Sequence, residues 1–501
     1  MNTLKRTLAL VATLAMSATA FVGCGKDDSS STAEPTTAAP AATDAATDAP
    51  TEAPEDPTEA PVDPASKSTE VGAIDSSLKT GGDTFTVAAW NADDMPALIA
   101  SWQGSTDFAG YKEKLANDQI EGIKFINFDV GGGKASEQYN QLFAEGKDLD
   151  LYFCEADWAL QFINDDTKTV ALDKLGFSEA NFAEIYSYTD EIGKDSNGVR
   201  KGVSWQAAAG GFAYRADLAE QYLGVKTPEE MQAKIGNWDD FVAAGKTVSE
   251  ATNGTVAFAD SLGGMWQAYA CGRSTPWVVD DKVQIDAFCE DFANHAKELW
   301  DCGAVTKNNQ WTDAAWEGSG VNGTCMGYFV STWGYGGFHM NASGGVGGEQ
   351  YGKWAVCQGP VPYYWGGTWI VVNPATDNAE EAQGLIKAAT VDNDKMKTYA
   401  TTKPEFVNNS VVMDELIKAD TVFNKDITGN FVNNQNIYAN LYDNVTKIDF
   451  DGLITPYDAD CKTAFIEAVR EEYLEKGSSW DATKEAFLDK ASEKLPGLNW
   501  D

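Results

Sequence analysis

Histidine is almost missing from this 501-residue chain, with only His295 and His339 present. No Cys-x-x-Cys pair accompanies them, so a zinc site is not expected, and no other metal or cofactor signature appears. GxSxG, HExxH, the P-loop and the dinucleotide fingerprint are also lacking, which removes the common signatures of catalysis. Gly131-Gly132-Gly133-Lys134 lacks P-loop spacing and reads as a turn before a helix. Positive charge is scarce: 37 Lys and Arg face 76 Asp and Glu, for a net charge of −39. A field of that sign repels phosphates and disfavours nucleic acid and anionic ligands, so no nucleic-acid partner is expected. No aromatic residue occurs between Phe21 and Phe85. Beyond the first 24 residues, no run approaches the ~20 apolar residues of a membrane span.

The start of the chain is apolar where the rest is not. Lys5 and Arg6 precede a mostly small and apolar stretch from Leu8 to Val22, a pattern that reads as a secretory signal. Val22-Gly23-Cys24 resembles a bacterial lipobox, which implies that Cys24 is lipidated and begins the mature chain. An ordinary signal peptide with a chance cysteine is the alternative. From Ser29 to about Gly82 the composition changes abruptly, and residues 31–64 are mostly Ala, Thr, Pro, Asp and Glu. Over residues 25–83 acidic residues outnumber basic ones 13 to 3. Such a segment cannot offset its ordering entropy and is expected to be an extended stalk. The expected organisation is therefore a signal peptide (1–23), a lipidated linker (24–83) and a globular part (84–501). The chain would sit on the outer face of the cell membrane of a Gram-positive bacterium. Seven cysteines follow Cys24, and an odd number leaves at least one thiol. Cys325 and Cys357 lie in strand-like runs and either pair or stay as buried thiols.

The globular part is longer than one ordinary core, which predicts two lobes. Strand-like runs at 84–90, 124–128 and 149–153 alternate with a helical run at 136–145. That rhythm predicts an α/β fold with a parallel sheet between helices. Ligands on such sheets sit beyond the carboxyl ends of the strands. Two loops are thereby singled out, Trp90 to Asp94 and Glu155 to Trp158.

Several stretches then resemble one family in order and spacing. They are Asp150-Leu151-Tyr152-Phe153 through Asp157, Phe212 to Leu218, Lys226-Thr227-Pro228 with Trp238 to Phe241, Gly323 to Gly327 through Trp333, and Trp354 to Pro362 followed by Gly366-Gly367. The chain is similar to the family 1 extracellular solute-binding proteins of bacterial ABC importers, the group that includes maltose-binding proteins. The resemblance implies a two-lobed periplasmic-binding-protein-like fold crossed three times by the chain, near Gln206–Gly210, Trp365–Thr368 and Phe431–Asn434. Lobe one would hold about 84–207 and 368–431, and lobe two about 208–367 and 432–501.

A sugar offers an apolar C–H face and a rim of hydroxyls. Tryptophan suits the face, and carboxylates or amides suit the rim. Trp90, Asn91 and Asp94 are therefore candidates at the end of the first strand, with Asp157 and Trp158 in the second loop. The resemblance implies that Asp157 accepts from sugar hydroxyls and that Trp333 stacks on a ring. Trp205 and Trp365 are expected to face the cleft from two crossings, and Trp266 to add a further plane. Trp238, Trp300 and Trp316 fall at helical positions with apolar neighbours and are expected in the core. Trp102, Trp277, Trp311 and Trp354 have no assignment.

Together these readings imply a monomeric, non-catalytic receptor. It would bind an oligosaccharide and deliver it to ABC permease subunits, held to the membrane by its lipid. The alternative is a cell-surface glycoside hydrolase or a carbohydrate-binding module without a transport role. Paired carboxylates do not separate these readings, because so acidic a chain always offers some pair.

Overall fold

The structure, a computed structural model, describes residues 67–309, 324–335, 339–403, 405–419, 432–433, 435–449 and 452–499. The expected signal peptide, Cys24 and most of the expected stalk lie outside the described residues, as do Trp311, Trp316, Gly323, Phe431 and Asn434. Before the midpoint, the strands are β1 (Phe85–Ala89), β2 (Ile123–Asn127), β3 (Leu151–Glu155), β4 (Gly202–Ser204) and β5 (Gly210–Arg215). After it come β6 (Val278–Val279), β7 (Lys282–Val283), β8 (Gly327–Ser331), β9 (Trp354–Cys357) and β10 (Thr368–Val372).

All five residues of β1 are buried. A strand buried without alternation belongs inside a sheet covered on both faces. β1 lies there, in a five-stranded sheet ordered β2-β1-β3-β10-β4. It pairs in parallel with β2 and β3, with Val87 opposite Phe125 and Leu151. No residue of β2 is fully buried, as suits an edge strand. β10 runs antiparallel to β3 and β4. A second sheet, ordered β8-β5-β9, is antiparallel throughout. β6 and β7 form a separate hairpin. One hydrophobic cluster encloses the first sheet and reaches one face of the second through Ala213, Tyr328, Val330 and Val356, and another covers the second sheet's opposite face. The result is a mixed α/β, two-lobed periplasmic-binding-protein fold.

The chain leaves the first sheet after β4 and enters the second at β5. It returns between β9 and β10. These two crossings lie side by side: Ala209 bridges to Tyr364, and the Trp365 amide donates to the Ala208 carbonyl at 3.1 Å. Gly366 (φ +69°) and Gly367 (φ +99°) take left-handed backbone on the return path, which a Cβ would strain. Gly210 has a different reason to be glycine. A Cβ there would fall 2.3 Å from the Tyr363 ring.

One expectation needs correction and one open reading is resolved. Residues 67–83, expected as the end of the disordered stalk, are fastened to the first lobe. The Ser68, Gly72 and Asp75 amides donate to the carbonyls of Ala180, Gly176 and Lys174. Val71, Ile74 and Leu78 pack on the first core, which supplies the apolar burial that the Ala/Thr/Pro run lacks. Cys325 and Cys357 are free thiols, as are the other five cysteines among the described residues. Cys357 ends β9 and Cys325 precedes β8, so the central strand β5 stands between them. Trp238 and Trp300 are buried in the second core.

Candidate functional site

The carboxyl ends of β1 and β3 form one wall. Trp90 follows β1 and meets Trp158 edge to face, with centroids 6.1 Å apart and planes at 72°. The Trp158 Nε1 donates to the Gly132 carbonyl at 3.0 Å, which fixes the ring against the turn after β2. Glu155 ends β3. Its Oε2 accepts from the Asp157 amide at 2.9 Å, so the strand end orients the loop carboxylate. Burial, and then the charge of Asp157, push the Glu155 carboxyl up to about 8, with Lys462 opposing.

Lys462 comes from the far wall, on the helix Asp458–Ala468. Its Nζ donates to Asp157 Oδ2, an ion pair that spans 305 residues of sequence. Burial works against the ammonium, but Asp157 and Glu155 outweigh it and hold Lys462 charged. A second bond joins the same walls: Gln161 Nε2 donates to the Pro456 carbonyl at 3.2 Å. Asp458 lies one turn before Lys462, on the same helix face. It accepts from Arg273 Nη2 at 2.8 Å. Arg273 also lies over Trp277, 5.0 Å from the ring centroid. These groups enclose a cavity of about 40 Å³ lined by Asp157, Arg273, Asp458 and Lys462, with Trp266, Trp277 and Tyr364 as aromatic walls. That is room for water-sized groups, so a larger ligand needs the walls to part.

The third part of the site lies at the crossings. Ser331 ends β8, and Trp333 follows it in a short helical turn. Its Nε1 donates to the Trp365 carbonyl at 2.7 Å, and the two rings meet at 87° with centroids 5.9 Å apart. A Cβ on Gly366 would lie 3.4 Å from Trp333 Nε1 and 3.6 Å from Glu155 Oε1. Tryptophan and carboxylate thus flank Gly366 from two sides, and its positive φ is what calls for glycine. Behind Trp333, Thr332 Oγ1 donates to Glu405 at 2.9 Å, and Gln206 Nε2 donates to the same carboxyl at 2.7 Å. Burial, and then Asp94, push Glu405 up to about 7.

The fold thus gathers Trp90, Asp157, Trp158, Trp333 and Trp365 around Glu155, and sets Trp266 in the cavity wall. Three candidates serve elsewhere. Asn91 Oδ1 accepts from the amides of Asp93 at 2.9 Å and Asp94 at 3.3 Å, closing the turn into the helix Asp94–Trp102. Asp94 pairs with Lys403. Trp205 does not face the cleft: it is 1% exposed in the first core, edge-on to Phe153 at 5.5 Å. It follows the edge strand β4, whose three residues are all buried, and its ring continues into that core.

Sequence reasoning passed over Arg273, Asp458, Lys462 and Glu405. The spacing of Asp458 and Lys462 marks one helix face, but nothing local ties that face to Asp157. Among the described residues, no group of His, Cys, Asp and Glu is arranged to hold a metal. No described helix is long and apolar enough to cross a membrane.

A fold built around an inter-lobe cleft of this kind defines a class of solute receptors. The family model for bacterial extracellular solute-binding proteins matches residues 102–393. The chain belongs to that family, whose members are binding proteins and not enzymes. Solved structures agree in fold. An ABC-transporter-associated binding protein from B. animalis subsp. lactis, in complex with β-1,6-galactobiose, is 17% identical over 83% of this chain and 98% of that one, with a TM-score of 0.61. The galacto-N-biose/lacto-N-biose I-binding protein of Bifidobacterium longum, in complex with lacto-N-biose, is 16% identical over 84% of this chain and 99% of that one, with a TM-score of 0.59. No curated protein sequence matches this chain.

Proposed function

We propose that this protein is a membrane-anchored receptor that binds a sugar, an oligosaccharide, between its lobes and delivers it to an ABC importer. The observation that carries the reading is the grouping of Trp90, Trp158, Trp333 and Trp365 around Glu155 and Asp157, with Lys462 reaching in from the other lobe. Aromatic planes suit the C–H face of a sugar ring, and the carboxylates suit its hydroxyls. The galactobiose and lacto-N-biose complexes of the two similar folds support the same class of ligand. Lipid on Cys24, a stalk through the cell-wall layer, permease subunits as partners and a monomeric state complete the proposal.

A thermal-shift screen tests it. A soluble form should begin at residue 66, because residues 67–83 pack on the first lobe. A sugar that binds only the folded state adds ~2.7 kcal/mol at 100 times its dissociation constant. The expected result is a raised midpoint with one sugar class and no hydrolysis products by chromatography. Turnover of an oligosaccharide, or no shift with any sugar, would overturn it.

A further inference from the structure

The cavity between the walls holds one buried donor without a partner, on Arg273, beside the partly exposed Lys462 and Asp157. Arg273 is buried, with its side chain 5% exposed. Its Nη2 bonds Asp458 at 2.8 Å, and its Nε donates to the Ala270 carbonyl at 3.3 Å. Its Nη1 is buried and has no partner among the described residues. A guanidinium N–H left unpaired out of water is costly, and such a group in a binding protein calls for an acceptor. Asp458 is not that acceptor, since its Oδ1 already takes the Thr455 amide at 2.8 Å and the Thr455 hydroxyl at 2.7 Å. Lys462 has three N–H groups and gives one to Asp157 Oδ2, which leaves two. Asp157 Oδ1 has no donor among the described residues. The same small cavity therefore holds spare donors on Arg273 and Lys462 and a spare acceptor on Asp157.

Charge sharpens the choice of ligand. Arg273 and Lys462 are matched by Asp458 and Asp157, so these two ion pairs sum to zero. A carboxylate from a uronic acid would satisfy the donors. It would also face Asp157 as acceptor against acceptor and leave a net charge beside the buried Arg273. An ammonium from an amino sugar would satisfy Asp157 but meet two cations. A hydroxyl both donates and accepts and brings no charge. Two adjacent hydroxyls on a ring reach Asp157 with one hydrogen and the two cations with their oxygens.

We infer that Arg273 and Lys462 are ligand-binding residues, and that with Asp157 they select adjacent hydroxyls of an uncharged sugar ring over uronates and amino sugars. This inference rests on the sugar-receptor reading above. Asp458 is a positioning residue, holding the guanidinium through Nη2 so that Nη1 stays available.

Calorimetric titration of the full chain tests the inference. The probes are maltose, lacto-N-biose and β-1,6-galactobiose as neutral sugars, digalacturonic acid as the carboxylate, and the fully deacetylated glucosamine disaccharide as the ammonium. At least one neutral probe should bind, with both charged probes at least a hundredfold weaker. Arg273→Lys should weaken that neutral sugar at least tenfold. The double variant Arg273→Met/Asp458→Asn leaves no orphaned charge and should show the same loss, with melting curves verifying the fold. Undiminished neutral-sugar affinity in folded Arg273 variants overturns the inference alone. So does tighter binding of digalacturonate or the amino sugar by the wild-type chain, a comparison that needs no variant. Failure of every sugar, neutral or charged, overturns the receptor reading as well.

Discussion

Glu405 gives the sharpest test of how the crossings are held. It is 1% exposed and sits where Gln206 of the first crossing meets Thr332, the residue before Trp333. Burial raises its carboxyl from 4.5 to about 7, with Asp94 adding to the rise. Between those values the folded chain keeps a proton that the unfolded chain has lost. The folded state then binds more protons, so stability falls as pH rises through this window. Its contribution is fully present below about 4.5 and is lost by the time pH passes about 7. Each pH unit of displacement corresponds to ~1.4 kcal/mol, so the whole window amounts to ~3 kcal/mol. Asp260, buried and raised to about 7, adds a slope of the same sign. Glu405→Gln cannot titrate and removes only its own part. The assay is urea unfolding at pH 5 and pH 8, followed by tryptophan fluorescence. Wild type should lose more stability between the two than Glu405→Gln, by ~2–3 kcal/mol. An identical pH dependence in both proteins would refute the reasoning, because the carboxyl would then not be held protonated at the crossing.

Three further outcomes are expected. Trp333→Ala removes a half-buried ring and the bond to the Trp365 carbonyl. Sugar affinity should fall at least tenfold by calorimetry, since a lost hot-spot aromatic costs ~2 kcal/mol or more. Trp300→Ala empties part of the second core instead, where the ring is 7% exposed. Its urea midpoint should fall by the equivalent of ~3–5 kcal/mol with sugar affinity unchanged. Cys24→Ala should lose labelling by a fatty-acid probe and appear in the soluble fraction, and unaltered membrane retention would count against the anchor.

The first sheet is legible because burial on both faces leaves short, mostly apolar runs, as in β1, where Thr86 is the one polar residue. The third strand was read at 149–153 and lies at Leu151–Glu155, so Glu155 belongs to the strand end and not to a loop. That offset hid its role as the residue that orients Asp157. Trp205 was misread because a tryptophan at a crossing can turn to either side, and composition does not say which. Lys462 was invisible for a different reason. Its partner is 305 residues away, and only the packing of the helix Asp458–Ala468 brings the two together. The end of the stalk was misread because its three apolar anchors, Val71, Ile74 and Leu78, are few among polar residues. Burial against an existing core needs fewer apolar side chains than building one.

The central claim is that this cleft receives a sugar and leaves it unchanged. Its most direct test is one calorimetric titration of the wild-type chain with maltose, lacto-N-biose and β-1,6-galactobiose, with the cell contents chromatographed afterwards. Saturable binding of one sugar per chain is expected, with all of it recovered intact. Heat that never saturates while the sugar is consumed, or no heat with any of the three, would contradict it.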